Sequence, residues 1–198
     1  RAASDIDFIH LIENTGMKIL VATEKPFAKK AVDGIRQIVE GAGYELALLE
    51  KYTDKSELLS AVADVDALII RSDKVTAEVI EAARNLKIVV RAGAGYDNVD
   101  LAAATARGIV VMNTPGQNSN AVAELALAMM IFMARNGFTP GTGSEIQGKT
   151  LGIHAYGNVG RLVGRKGKAM GMNVIAYDPF ITDSAVFEAD GVKKVNSV

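Results

Sequence analysis

Two glycines and an aspartate are spaced as in a dinucleotide-binding turn. Gly157 and Gly160 follow the strand-like segment 150–155, and Asp178 ends the next apolar run, 173–177. Glycines let a pyrophosphate approach backbone N–H groups at a helix N-terminus, where the helix dipole is positive. A carboxylate about 20 residues further on accepts hydrogen bonds from the adenosine ribose and repels the extra phosphate of NADP. The residues predicted to bind NAD here are Gly157, Asn158, Val159, Gly160 and Asp178.

The motif departs from G-x-G-x-x-G at its first position, where Ala155 stands. The alternative interpretation is a plain strand-to-helix turn that uses glycine for its geometry. A strand at 150–155, a helix predicted over 161–170 and a second strand at 173–177 complete a βαβ unit around the turn. This context favours the nucleotide site.

The elements upstream of this unit alternate between strand-like apolar runs and segments of helical period, as in βαβ units around a parallel sheet. Their valine and isoleucine content is typical of strands buried on both faces. A complete α/β domain is therefore expected over residues 17–117. The five predicted strands are Lys18–Thr23, Glu45–Leu49, Ala67–Arg71, Lys87–Arg91 and Ile109–Asn113.

A long apolar helix and a glycine-rich segment separate this region from the dinucleotide motif. Residues 118–135 are apolar nearly all round, which predicts one buried helix bridging two domains. Residues 136–148 contain four glycines and a proline without periodicity, so they are the predicted linker. Together 118–148 form the bridging region, and a second domain is expected over 149–198.

Composition excludes several classes of partner. The 198 residues carry a formal net charge of −1 and no cysteine, so we expect no nucleic-acid or membrane partner, no metal site, and a cytoplasmic location. The apolar run 121–134 is shorter than the roughly 20 residues that span a bilayer. Residues 1–16 precede an internal Met17 and lack a secretory signal, so they are expected to be a leader or tag.

Six separated segments carry recognisable motifs: Ile70–Thr76, Arg91–Asp100, Val111–Asn118, Val122–Leu125, Gly148–Ile153 and Tyr177–Pro179. In their order and spacing, from Met17 to about Val198, they resemble the D-isomer-specific 2-hydroxyacid dehydrogenases.

The Gly93–Asn98 loop lies within the second of these segments and superficially resembles a second dinucleotide motif. It lacks a suitable acidic strand tip downstream, so it is expected to be a ligand loop or a simple turn.

The resemblance implies a flavodoxin-like substrate-binding domain followed by the beginning of a Rossmann NAD-binding domain, with two of its six strands present. It also implies that Ala94 lies at the cofactor, where many relatives have threonine. Asn158 stands where many have arginine. A homodimer is implied for the complete protein, with the helix at 118–135 in the contact. The substrate-binding residues that the resemblance implies are Arg71, Ser72, Arg91, Ala92, Gly93, Gly95 and Asn118.

The implied reaction is hydride transfer between NAD and the 2-hydroxyl of a phosphorylated acid, D-3-phosphoglycerate. Alternatives are another small D-2-hydroxy acid, or a regulatory module that binds NAD without catalysis. The arginine, carboxylate and histidine of the family's chemistry would follow Val198, so no catalytic residue is assigned. His10 lies in the expected leader and His154 in a predicted core strand. The chain is therefore expected to be part of a longer protein and inactive alone.

Overall fold

The computed structural model describes residues 16–197. The expected leader, residues 1–16, lies outside the described residues except for Gly16. The chain divides into two compact units, one extending to Pro115 and the other beginning at Gly116. Each unit is described by itself below.

The first unit is a parallel α/β sheet with helices between its strands. Its five strands run in the order β2-β1-β3-β4-β5, which is the flavodoxin-like order. The five predicted strands are confirmed, with ends shifted by at most one residue. The elements are β1 Lys18–Thr23, α1 Lys29–Gly41, β2 Glu45–Glu50, α2 Lys55–Ala61, β3 Ala67–Ile70, α3 Ala77–Ala82, β4 Ile88–Arg91, α4 Leu101–Ala106 and β5 Val110–Met112.

The core of the first unit forms around its central strands. Val21 on β1, Leu68 on β3 and Val89 on β4 are fully buried, since helices cover a doubly wound parallel sheet. At the edge of the sheet, β5 leaves Val110 and Met112 about half exposed. Because all five strands are parallel, their carboxyl ends meet at one edge of the sheet, where open α/β folds bind ligands.

The second unit contains a three-stranded parallel sheet in the order β6-β7-β8. The sequence predicted two of these strands and missed the short third one. The long helix and the glycine-rich segment belong to this unit, while the predicted division at residues 117 and 148 stays a prediction. The elements are α5 Ser119–Ala134, a 3-10 turn Asn136–Phe138, β6 Thr150–His154, α6 Asn158–Ala169, β7 Asn173–Tyr177, α7 Ala185–Glu188 and β8 Lys193–Lys194.

The prediction that the long helix is buried is wrong for most of its surface. Ala123 is buried in the core of the second unit, which includes residues of α6, and Leu127 is also buried. Leu125, Met129 and Met133 are 59–72% exposed, because the helix packs within its own unit along one side only. No helix among residues 16–197 is long and apolar enough to cross a membrane.

Candidate functional site

The dinucleotide turn connects β6 to α6 in the second unit. Gly157 is the N-cap in an extended conformation, with φ −78° and ψ −154°, and α6 begins at Asn158. The sequence placed this helix start at Arg161, three residues too late, and its end at Met170, one residue beyond Ala169. The helix begins earlier than predicted because the residues directly after Gly157 already have helical backbone conformations.

The first turn of α6 offers unpaired backbone donors. The first N–H to make a helical bond is that of Arg161, to the Gly157 carbonyl at 3.0 Å. No side chain of the described residues caps the helix. The N–H groups of Asn158, Val159 and Gly160 therefore remain at the positive end of a 12-residue helix, as an anion-binding terminus requires.

The two glycines of the turn have different reasons to lack a side chain. A Cβ on Gly160 would lie 2.2 Å from the Ala155 carbonyl oxygen, so the fold itself requires this glycine. A Cβ on Gly157 would meet no protein atom within 4 Å. Protein packing does not explain Gly157, whereas a phosphate approaching the helix terminus would occupy that open space. The turn therefore fits a dinucleotide pyrophosphate.

Ala155 makes the bend that leads into the turn. Its φ is +78°, in the left-handed region that favours glycine. The fold accommodates alanine at this first glycine position. It does so with backbone strain of about 1 kcal/mol relative to glycine.

Asp178 follows β7, and its carboxylate connects the loop after β7 to the dinucleotide turn. Its carboxylate accepts hydrogen bonds from the N–H groups of Phe180 at 2.8 Å, Tyr156 at 2.7 Å and Ile181 at 3.3 Å. The Phe180 and Tyr156 bonds lower the pKa of Asp178 below its usual value, so the group is ionised at neutral pH. A carboxylate has about four acceptor positions, which leaves capacity for a ribose hydroxyl.

A second carboxylate, that of Asp190, supports the same turn. It accepts hydrogen bonds from Tyr156 Oη at 3.1 Å, Arg161 Nε at 3.0 Å and Arg165 Nε at 2.6 Å. Burial opposes ionisation of Asp190, but the two arginines and the tyrosine outweigh it and lower its pKa. Burial and the bond to Asp190 raise the pKa of Tyr156 to about 12. Asp190 lies outside the turn in sequence, so no local motif marks it.

The Tyr156 side chain anchors the turn in the core of the second unit. Its ring is fully buried and stacks on Phe187, with centroids 4.6 Å apart and planes 15° apart. A Cβ on Gly164 of α6 would lie 3.0 Å from the Tyr156 hydroxyl oxygen. The turn, α6 and the segment after α7 are thereby held together by one residue.

A cavity of about 260 Å³ opens beside the first turn of α6. Asn158, a predicted cofactor residue, lies on its wall. No acidic side chain lines the cavity. Its two arginines share one carboxylate, that of Asp190, so one net positive charge remains for a negatively charged ligand group. The lining residues are Gly116, Ser119, Asn158, Arg161, Leu162 and Arg165.

In the first unit, the predicted substrate arginines come together at the ends of β3 and β4. Arg71 and Ser72 follow β3 directly and are exposed. Arg91 ends β4, and its Nε donates to the Arg71 carbonyl at 2.8 Å. Its guanidinium fills the space above Gly93, where a Cβ would lie 1.6 Å from Arg91 Nη1. Two guanidinium groups on neighbouring strand ends can bind a carboxylate or phosphate.

The Gly93–Gly95 loop is attached to the neighbouring strand ends. The Ala92 N–H donates to the Ile70 carbonyl at 2.8 Å, and the Thr114 N–H donates to the Gly93 carbonyl at 2.9 Å. Asn113 Nδ2 donates to the Ala94 carbonyl at 2.6 Å. Helix α4 begins only at Leu101, so no helix terminus adjoins these glycines. This agrees with rejecting the loop as a dinucleotide motif.

Asp73 is a member of this site that the sequence did not single out. Its carboxylate is buried and accepts hydrogen bonds from Glu24 N–H, Tyr52 Oη and Arg71 N–H. Burial and the bond to Asp73 raise the pKa of Tyr52. The available signal was an acidic residue immediately after the two predicted substrate residues, at a strand end.

The side chains of three other residues named in the sequence analysis make none of these contacts. Ala94 offers only a methyl side chain, so its role at a cofactor stays a prediction. Asn118 belongs to the second unit and precedes α5 without capping it through its side chain. The prediction of a buried His154 is wrong: the residue is exposed on edge strand β6, with its ring centroid 5.5 Å from that of Tyr177. Among residues 16–197, no group of three His, Asp or Glu side chains could hold a metal.

Comparisons with known proteins identify the family of the chain. Residues 19–191 match the model for the catalytic domain of the D-isomer specific 2-hydroxyacid dehydrogenases. The chain is 42% identical over 194 residues to D-3-phosphoglycerate dehydrogenase of Archaeoglobus fulgidus, covering 91% of this chain and 35% of that protein. It is 43% identical over 149 residues to hydroxypyruvate reductase of Thermotoga maritima, covering 68% of this chain and 49% of that protein.

Among solved structures, the chain is similar to the NAD+-bound 3-phosphoglycerate dehydrogenase of Entamoeba histolytica. The TM-score is 0.81 and the identity 47%, over 93% of this chain and 64% of that one. The chain thus spans about a third to two thirds of these relatives. The recognition made from the sequence is confirmed, and the NAD cofactor expected from the sequence agrees with the Entamoeba structure. The chain belongs to the D-isomer specific 2-hydroxyacid dehydrogenases.

Proposed function

We propose that the chain is part of an NAD-dependent dehydrogenase that oxidises the 2-hydroxyl of D-3-phosphoglycerate to give 3-phosphohydroxypyruvate. The observation that carries this proposal is the 47% identity, over 93% of the chain, to a 3-phosphoglycerate dehydrogenase solved with NAD+. The two sites described above supply the chemistry that such a reaction needs, a dinucleotide turn and a cluster of anion-binding arginines.

The second unit supplies the cofactor site in this proposal. When bound, NAD accepts the hydride that leaves the substrate's second carbon. The first-turn N–H groups of α6 hold its pyrophosphate, with Gly157 leaving the necessary space. Asp178 accepts the ribose hydroxyls, and its negative charge disfavours the additional phosphate of NADP.

The first unit supplies the substrate site. Arg71 and Arg91 are permanently charged and lie on adjacent strand ends, joined by one hydrogen bond. Their guanidinium groups bind the carboxylate and phosphate of the substrate, and the Ser72 hydroxyl adds a donor. The Ala94 and Gly95 N–H groups of the neighbouring loop are further donors for the same anion, whereas the Gly93 N–H already donates to the Arg91 carbonyl.

Proton transfer is not assigned to any residue of the chain. We therefore propose that the 198 residues alone do not turn over substrate, and that the complete protein acts in the cytoplasm as a homodimer. A second candidate substrate is hydroxypyruvate, because the chain is 43% identical to the Thermotoga hydroxypyruvate reductase. A regulatory module that binds NAD without catalysis is the remaining alternative.

Oxidation of NADH by the complete protein tests this function. The proposed enzyme oxidises NADH rapidly with 3-phosphohydroxypyruvate and far more slowly with hydroxypyruvate, pyruvate or glyoxylate. The control omits the oxo acid. Equal rates with phosphorylated and unphosphorylated acids would overturn the substrate assignment, and NAD binding without turnover of any of these acids would favour the regulatory alternative.

A further inference from the structure

The Asp73 carboxylate is buried without a counter-charge. Asp73 is 3% exposed, and none of the salt bridges among the described residues involves it. Its Oδ1 accepts from Glu24 N–H at 2.7 Å and Tyr52 Oη at 2.8 Å, and its Oδ2 accepts from Arg71 N–H at 3.2 Å. A buried carboxylate requires such donors, since burying an uncompensated charge is strongly unfavourable. Its presence therefore fixes where these three donors lie.

The donors come from the carboxyl ends of three neighbouring strands. Glu24 follows β1, Tyr52 follows β2 and Arg71 follows β3, and these strands are adjacent in the order β2-β1-β3. The backbone carbonyl of Asp73 also accepts from Asn98 Nδ2, in the loop after β4, at 2.7 Å. One residue thus connects the loops that follow four strands, at the ligand-binding edge of the sheet.

The backbone of Arg71 is held from both sides. Asp73 binds its N–H, and Arg91 Nε binds its carbonyl at 2.8 Å. The Arg71 and Ser72 side chains are nevertheless exposed. A loop whose backbone is fixed while its polar side chains face solvent is pre-organised for binding, because less conformational entropy is lost when a ligand arrives.

We propose that Asp73 is a positioning residue for the substrate, holding the Arg71–Ser72 loop in its anion-binding conformation through the Arg71 N–H. This inference rests on the proposed function, because it takes that loop as the substrate site. Asp73 touches neither substrate nor cofactor in this proposal. Tyr52 and the Glu24 N–H hold its other oxygen, so Asp73 itself stays in place.

Substitutions at Asp73 and Tyr52 separate positioning from general stability. Calorimetry on the complete protein measures the Kd for D-3-phosphoglycerate and for NAD+. Asp73→Ala is expected to weaken D-3-phosphoglycerate binding at least tenfold without changing the Kd for NAD+. Asp73→Asn, which retains one acceptor, falls between Asp73→Ala and the wild type. Tyr52→Phe, which leaves the Arg71 bond intact, changes the Kd less than threefold.

The matched control is Ile80→Ala, at a fully buried position of α3 outside the site. It lowers the Tm by leaving a cavity in the core and leaves the Kd of the folded fraction unchanged. A merely structural Asp73 would behave like Ile80, reducing the folded fraction without altering the Kd. Equal D-3-phosphoglycerate affinity in Asp73→Ala and the wild type would overturn the proposal.

Hydrogen exchange at the Arg71 amide tests the same proposal without a ligand. The amide is expected to exchange at least tenfold faster in Asp73→Ala than in the wild type, with β4 amides unaffected. Unchanged exchange at Arg71 would overturn the role of Asp73 on its own. If the wild type fails to bind D-3-phosphoglycerate, the proposed function fails, while the exchange result still decides whether Asp73 holds the loop.

Discussion

The Gly93–Gly95 loop and the turn with Gly157 and Gly160 look alike in sequence, but their glycines lack side chains for different reasons. In the first unit, Gly93 lacks a side chain because the Arg91 guanidinium occupies that space. In the second unit, Gly160 lacks one because the Ala155 carbonyl is there, while Gly157 faces open space at a helix terminus. The first loop accommodates a charged side chain of its own protein, and the second leaves room for a charged ligand.

This difference shows what a glycine pattern can and cannot indicate. A glycine in such a loop indicates that another group lies close to the backbone. Whether that group is a protein side chain or a ligand is indicated only by the element that follows the loop. Helix α6 begins directly after Gly157, whereas α4 begins at Leu101, well after Gly95. An adjoining helix dipole favours a phosphate at the second loop, and the arginines of strand ends favour a carboxylate or phosphate at the first.

Gly160→Ala gives the largest expected effect. The new Cβ would overlap the Ala155 carbonyl oxygen, so the turn must shift, at a cost of about 3 kcal/mol. Thermal unfolding should show a large drop in Tm, and NAD+ binding should be lost. Gly157→Ala is the control, with weakened NAD+ binding and a much smaller fall in Tm, because alanine is a poorer N-cap than glycine. Equal Tm for the two variants would contradict the distinction between the glycines.

Gly93→Ala tests the first loop. The added methyl group displaces the Arg91 guanidinium and breaks its bond to the Arg71 carbonyl, which costs about 1 kcal/mol. Calorimetry should show weaker binding of D-3-phosphoglycerate and unchanged binding of NAD+. A matching fall in NAD+ affinity would mean that the two loops are not functionally distinct.

Ala155→Gly should stabilise the protein. The backbone at this position has φ +78°, and glycine relieves roughly 1 kcal/mol of strain there, partly offset by its greater unfolded-state freedom. A raised denaturant midpoint is expected. Ala176→Gly, in the buried strand β7, is the control and should lower the midpoint. A lowered midpoint for Ala155→Gly would show that the turn is not strained at this residue.

The smallest effect concerns pH. The Phe180 and Tyr156 N–H groups lower the pKa of Asp178 below its unfolded value of 3.8. The stabilisation from Asp178 is therefore present above the unfolded pKa and is lost as pH falls through the folded pKa. Denaturant unfolding below pH 4 should show a steeper loss of stability in the wild type than in Asp178→Asn. Parallel curves would contradict the role of these hydrogen bonds.

The sequence predicted the positions of strands and helices better than it predicted which of their faces are exposed. The strands of the first unit were recognisable because buried parallel strands are continuous apolar runs. The exposed face of α5 was not, because an apolar helix surface looks the same whether a partner covers it or solvent does. His154 was misplaced for a related reason, since β6 is an edge strand and one of its faces is open.

In the candidate sites, the sequence located the residues proposed to bind ligands but not the residues that support them. Gly157, Gly160, Asp178 and the arginines are marked by spacing along the chain, so the sequence located them. Asp190 is 34 residues from its partner Tyr156, and Tyr52 is 21 residues from Asp73. Such supporting pairs depend on the register of the sheet and on loop conformation, which local patterns do not encode.

Calorimetric titration of the complete protein with NAD+ and NADP+, in the wild type and in Gly157→Ala, tests the dinucleotide site itself. We predict binding of NAD+, at least tenfold weaker binding of NADP+, and a reduced NAD+ affinity in Gly157→Ala with a fall in Tm much smaller than that of Gly160→Ala. Equal affinity of the wild type for NAD+ and NADP+, or equal NAD+ affinity of wild type and variant, would contradict the assignment of Gly157 and Asp178 to the cofactor.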